Sequence, residues 1–63
     1  MEAKKIIIEF LKNNKGKWFT ISEISRKTNL SYPTTLKVID QLLKEGLIIE
    51  DRKNRTLRLI TWK

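Results

Sequence analysis

The sequence contains no cysteine and no histidine. Their absence excludes disulfides, thiolate chemistry and the commonest zinc ligands together. Proline occurs once and glycine twice, which excludes a glycine-rich phosphate loop. No run of apolar residues exceeds three; "III" at 6–8 and "LII" at 47–49 are the longest. Neither is near the length that spans a bilayer. Met1 is followed by a charged amphipathic segment and not by a signal-peptide pattern, so the expected location is cytoplasmic, without a membrane partner. Acidic residues are also scarce, 7 against 14 Lys and Arg. Seven scattered carboxylates with no His or Cys offer no nucleophile–base pair and no metal cluster. The expectation is a non-enzyme with no catalytic residue, metal, cofactor or evident small-molecule ligand.

What is present fits one domain over residues 1–63. A chain this short buries only about 60 % of its unfolded surface, so its packing must be efficient. The formal net charge of +7 on 63 residues favours a polyanion as partner, although lysine-rich surfaces also occur without one. No repeat, linker or low-complexity tract interrupts the chain.

Apolar residues at Ala3, Ile6, Ile7, Phe10 and Leu11 recur with helical spacing, predicting a first helix over 3–12. "NNKG" at 13–16 ends it, with Asn and Gly suited to a left-handed cap. "KWFT" at 17–20 reads as a short strand, with Phe19 inward and Trp18 on the other side. Thr20-Ile21-Ser22-Glu23 fits a capping box and opens a brief second helix. Ile21 and Ile24 turn inward there, while Arg26 and Lys27 turn outward. Asn29 tolerates the left-handed conformation a sharp turn needs, and Leu30 plugs the corner. Ser31 is an N-cap, and Pro33 is acceptable only in a first turn, so a third helix starts there and runs to about Glu45, where Gly46 ends it. The pattern is helix, tight turn, helix, which sets the second of the pair at a steep angle with one face outward.

The tail predicts a β-hairpin, with strands over Leu47–Asp51 and Thr56–Trp62 and "RKNR" as the turn. A three-residue loop at 53–55 would set Glu50 opposite Arg58 and Ile49 opposite Leu59, both favourable pairs. A two-residue loop would pair Ile49 with Arg58, so the first register is preferred.

On a helical wheel, Val38, Leu42, Thr35, Ile39, Tyr32, Leu43 and Leu36 form the core side of the third helix. Pro33, Thr34, Lys37, Gln41 and Lys44 form the opposite side, with Asp40 at its edge. These outward residues are either solvated polar positions or contacts to a ligand. Arg52, Lys53 and Arg55 surround Asn54 at the hairpin tip, where a charged turn could simply blunt a sheet edge. Trp18 and Trp62 are expected to cover the outer side of the sheet, with a dimer contact as the rival role. Ile8 lies off the apolar stripe among Lys4, Lys12 and Lys15, whose charges oppose close self-association.

The order helix, strand, helix, turn, helix, hairpin resembles the winged helix-turn-helix superfamily over essentially the whole chain. The resemblance is carried by "FTISEISRKTNLS", similar to the family's apolar-Thr-x-x-Glu-Leu-Ala…Leu-Ser run, then by "LLKEGLI" and a basic hairpin tip before "LIT". It looks most like the small MarR-type repressors of bacteria and archaea. Asn29 stands where the family's turn usually has glycine, and Asn54 where its hairpin tip often has. Such repressors dimerise through flanking helices for which this chain has no room. The implied fold is α+β: three helices and a small three-stranded antiparallel sheet, in the order helix, strand, helix, helix, β-hairpin wing.

The resemblance implies sequence-specific binding to double-stranded DNA, in transcription regulation. Helix 32–45 would enter the major groove with its N-terminal end first. Ser31, Tyr32, Pro33, Thr34, Lys37, Gln41 and Lys44 are the candidate contacts there. Lys37 suits guanine acceptors or a phosphate, Gln41 suits adenine, and Thr34 suits either role. Asp40 would read a cytosine or pair with Lys37 or Lys44. Arg26 and Lys27 would bind flanking phosphates, which fixes register without reading sequence. Arg52, Lys53, Asn54 and Arg55 form the implied wing, along the backbone or in a minor groove where Arg is attracted to narrow A·T tracts. Self-association is expected to be weak at most. The alternative is a winged-helix module that binds an acidic protein partner.

Overall fold

The structure, a computed structural model, describes residues 2–52 and 57–63. The elements in chain order are α1 (Ala3–Asn13), β1 (Phe19–Thr20), α2 (Ile21–Thr28), α3 (Tyr32–Lys44), β2 (Ile48–Asp51) and β3 (Leu59–Trp62). The strands form one antiparallel sheet in the order β1-β3-β2. β3 in the middle meets α1, β2 meets α3, and β1 meets α2.

The core is one cluster of Ile7, Leu11, Ile21, Ile24, Val38, Ile39, Leu42, Ile48 and Ile60, drawn from all three helices and both long strands. Burying each such side chain contributes about 1.5–3 kcal/mol. Phe10 and Phe19 close one end as a tilted pair with ring centroids 4.9 Å apart. Phe19 thus faces inward as its alternation predicts.

Local chemistry explains each helix boundary. The Thr20 side chain accepts from the Glu23 N–H, and the Glu23 carboxylate accepts from the Thr20 N–H at 2.9 Å. This is the full reciprocal capping box. At the other end of α2, Asn29 takes φ 58°. The Leu30 N–H then reaches back to the Ser25 carbonyl at 3.1 Å, a Schellman-type closure. The Ser25 hydroxyl donates to the Leu30 carbonyl at 2.6 Å and fastens the corner a second time. Ser31 caps α3, with Pro33 in its first turn. α3 closes like α2: the Leu47 N–H bonds the Leu42 carbonyl around Gly46, whose φ of 75° favours glycine.

Four expectations are corrected. β1 covers only Phe19–Thr20, not 17–20, because the turn after α1 runs on to Lys17, whose N–H bonds the Asn14 carbonyl at 3.1 Å. The hairpin pairs Ile48 with Trp62, Ile49 with Thr61, Glu50 with Ile60 and Asp51 with Leu59. That is two residues from the preferred register, which set Glu50 opposite Arg58. A two-residue slip keeps every side chain on its own face, so alternation cannot distinguish the two. Finally, Trp62 does not share the outer side with Trp18. It has the parity of buried Ile60 and packs against the core, whereas Trp18 is 45 % exposed. Ile8 likewise packs against the core rather than standing free.

Candidate nucleic-acid interface

α3 presents two chemically different sides. Thr35, Val38, Ile39 and Leu42 are buried, with Leu36 and Leu43 half-buried. The Thr35 hydroxyl is satisfied by the Ser31 carbonyl at 2.9 Å, so this polar residue sits in the core at little cost. On the outward side Pro33, Thr34, Lys37, Gln41 and Lys44 are all exposed or half-exposed. Among the described residues neither Lys37 nor Lys44 has an ion-pair partner. The Ser31 hydroxyl donates to Thr34 Oγ1 at 2.9 Å and so holds the Thr34 side chain at the leading turn.

Tyr32 leaves the core arc to which the wheel assigned it. It is 48 % exposed, because it sits at the helix start, beyond the elements that cover the rest of that arc. There it lines an open groove of about 260 Å³ with Thr20, Ile21, Ser22, Leu57 and Arg58. The groove lies between the N-terminal turns of α2 and α3 and the approach to β3. Arg26 and Lys27 are exposed in the last turn of α2, where cations also favour the negative end of the helix dipole.

Asp40 pairs with neither Lys37 nor Lys44. It accepts from Arg58 Nη2 at 3.2 Å, tying α3 to the approach to β3. Arg58 Nε also donates to Glu50 Oε2, which further accepts from Arg52 Nε at 3.1 Å. The expected Glu50–Arg58 pairing therefore survives as a diagonal contact, since Arg58 lies two residues from Ile60, the residue opposite Glu50. The bond from Arg58 Nε holds the Glu50 carboxyl below its ordinary range against a smaller opposing effect of burial, with Arg52 assisting. Glu50 in turn raises Arg58, again against burial, and Asp40 adds to the effect. The arrangement is two carboxylates and two guanidiniums, locally neutral, joining α3 to β2 and the approach to β3. Sequence reasoning missed Arg58 as the link; its one visible signal was the cross-strand match to Glu50.

Of the wing residues, Arg52 is exposed and, among the described residues, pairs at the surface with Glu50. Such a pair contributes roughly 0–1 kcal/mol and is readily exchanged. Lys53, Asn54 and Arg55 lie outside the described residues.

The fold recurs in solved structures. A possible transcriptional regulator from Methanosarcina mazei Go1 superposes with a TM-score of 0.90 at 12 % identity, over 100 % of this chain and 56 % of that one. The present chain thus spans little more than half of that regulator's length. A structure of HOP2, from work on its DNA recognition and protein interaction domains, superposes with a TM-score of 0.81 at 20 % identity. That match covers 98 % of this chain and all of the other. At these identities the likeness is one of fold. No curated protein sequence matches. A family profile described as winged helix-turn-helix matches residues 2–63, without singling out the MarR type. With three helices, a three-stranded sheet and this profile covering nearly its whole length, the chain belongs to the winged helix-turn-helix family.

Proposed function

We propose that the chain is a single winged-helix domain over residues 1–63 that binds duplex DNA sequence-specifically and regulates transcription in the cytoplasm. It acts without catalysis, metal or cofactor. α3 enters the major groove and the wing at 52–55 lies on the backbone or in the minor groove. The observation that carries this reading is the outward row Thr34, Lys37, Gln41 and Lys44 on α3, its two lysines free of ion pairs among the described residues. Arg26 and Lys27 extend the positive charge beside it, at the end of α2. The regulator-like fold of the Methanosarcina protein and the DNA-recognition role reported for HOP2 support the same reading. A module that uses α3 to bind a protein would present an apolar stripe there. The outward side of α3 is polar instead.

The test is an anisotropy titration of labelled random-sequence duplex at several salt concentrations. It compares the wild type with Lys37→Ala/Gln41→Ala and Arg52→Ala/Arg55→Ala. Contact with about five to seven phosphates gives a slope of log affinity against log salt of roughly −5 to −6. Both double variants should weaken binding. A flat salt response, or binding indifferent to both variants, rejects the reading.

A further inference from the structure

We propose that the outer face of the sheet, around Trp18, Ile49 and Leu59, docks an acidic amphipathic protein segment. Alternation puts Ile60 and Trp62 of β3 against the core and Leu59 and Thr61 on the other side. Ile49 is paired directly with Thr61. Extending the β1–β3 pairing by one residue sets Trp18 beside Thr61 from the opposite flank, consistent with the Thr61 hydroxyl donating to the Lys17 carbonyl at 2.7 Å. Trp18, Thr61 and Ile49 thus form a row across the sheet, with Leu59 next along β3.

Trp18 is 45 % and Ile49 43 % exposed. Thr61 between them is buried, and its hydroxyl is already satisfied, so the centre of the row requires no polar partner. An exposed Trp beside aliphatic side chains on a rigid sheet is the composition of an interface anchor.

The charges at the margins select the occupant. Lys15 and Lys17 lead into β1, and Lys63 follows β3. Antiparallel pairing brings Lys17 and Lys63 to the same end of the sheet. Among the described residues of this face, Asp51 is the one carboxylate, and it sits at the other end, opposite Leu59. A second copy would bring like lysines together on a chain already at +7. A segment with apolar residues on one side and carboxylates along its margin meets both features, with its carboxylates toward Lys63, which has the parity of Thr61, and toward exposed Lys17 at the edge of the sheet just before β1. This surface is separate from the outward side of α3, so the inference stands independently of the DNA reading.

The probe is a short synthetic amphipathic peptide with leucine and phenylalanine on one side and glutamates on the other, titrated into the full chain by amide and indole NMR. Two controls are a scrambled peptide of identical composition and a version with lysine for glutamate. Shifts should centre on Trp18, Ile49, Leu59, Thr61 and Lys63, and should persist when duplex DNA is present. Ile49→Glu should weaken the acidic peptide about tenfold, as loss of an interface anchor does. Lys17→Glu/Lys63→Glu should weaken it too and favour the lysine peptide instead. Both variants alter exposed residues, and their amide spectra report whether the fold is kept. Shifts confined to Lys37, Gln41 and Lys44 would overturn the proposal, as would equal binding of the scrambled peptide. A concentration-dependent dimer through Trp18 and Ile49 would overturn it in favour of a second copy.

Discussion

At the corner between α2 and α3, the hydrogen bonds that set the geometry join residues no more than five positions apart: Thr20 with Glu23, Ser25 with Leu30, Ser31 with Thr34. In the β2–β3 ribbon the corresponding bonds reach 8 positions from Glu50 to Arg58 and 18 from Asp40 to Arg58. A third, from Thr61 to Lys17, spans 44. The corner is therefore specified by its own residues and holds α3 at a fixed angle. The ribbon takes its register from partners elsewhere in the chain. For a protein proposed to read DNA with α3 and steady itself with the wing, that division is useful. The reading element is held by short-range bonds, whereas the strands that lead to the wing are tied to distant parts of the chain.

The largest expected effect contrasts two isoleucines. Ile24 in α2 is fully buried, whereas Ile49 in β2 is 43 % exposed. Ile24→Ala should cost about 2–5 kcal/mol, the range for a core truncation that leaves a cavity. In so small a domain that is enough to unfold much of the population at room temperature. Ile49→Ala should cost only about 1 kcal/mol, since nearly half of its surface stays in water in the folded state and truncation there encloses no cavity. Urea denaturation followed by circular dichroism measures both. Similar midpoints for the two variants would mean the core is not centred where the packing puts it.

A smaller effect tests the corner itself. Thr20→Ala removes one half of the capping box and should cost about 0.5–2 kcal/mol. Asn29→Ala places a Cβ-bearing residue without Asn's local hydrogen bonding at φ 58° and should cost about 1 kcal/mol. Asn29→Gly should be close to neutral, because glycine takes that conformation freely. If Asn29→Ala were as benign as Asn29→Gly, the left-handed turn would not be what fixes the corner.

The same contrast explains what could be read from the sequence. Thr20, Glu23, Asn29, Ser31, Pro33 and Gly46 each carry a local conformational rule, and the structure places all of them as those rules require. The core sides of α1 and α3 followed from periodicity, except at Ile8, which packs against the core from off the apolar stripe, and at Tyr32, where the helix runs past the elements that would cover it. The hairpin register did not follow. The preferred register and the observed one both keep Ile48 and Ile60 inward, and the choice between them involves Asp40 on another element. The face of Trp62 needs no register: it shares the parity of Ile60, and alternation alone turns it toward the core. The outward row of α3 was legible as polar and solvent-facing. What it contacts is a question for the salt titration.

The smallest effects are electrostatic, and they probe the ribbon's side of the comparison. Because Arg58 holds the Glu50 carboxyl below its ordinary value of 4.5, the folded state binds this proton less readily than the unfolded chain does. The resulting stability is complete above that ordinary value and is lost as pH falls through the lowered one. Glu50→Gln should therefore be less stable than the wild type at neutral pH, by about 1 kcal/mol or less for a pair near the surface. The two stability curves should converge in acid, where wild-type Glu50 is itself protonated. Comparing these two proteins cancels the other carboxylates, which titrate in both. Asp40→Asn should cost less still, because Asp40 is more exposed than Glu50 and its pair with Arg58 is screened by salt. Equal stability of the wild type and Glu50→Gln at neutral pH would assign the role of Glu50 to side-chain shape, which the two share, rather than to charge. The ribbon would then be set by packing alone, and the contrast with the corner would rest on the span of its contacts and not on their chemistry.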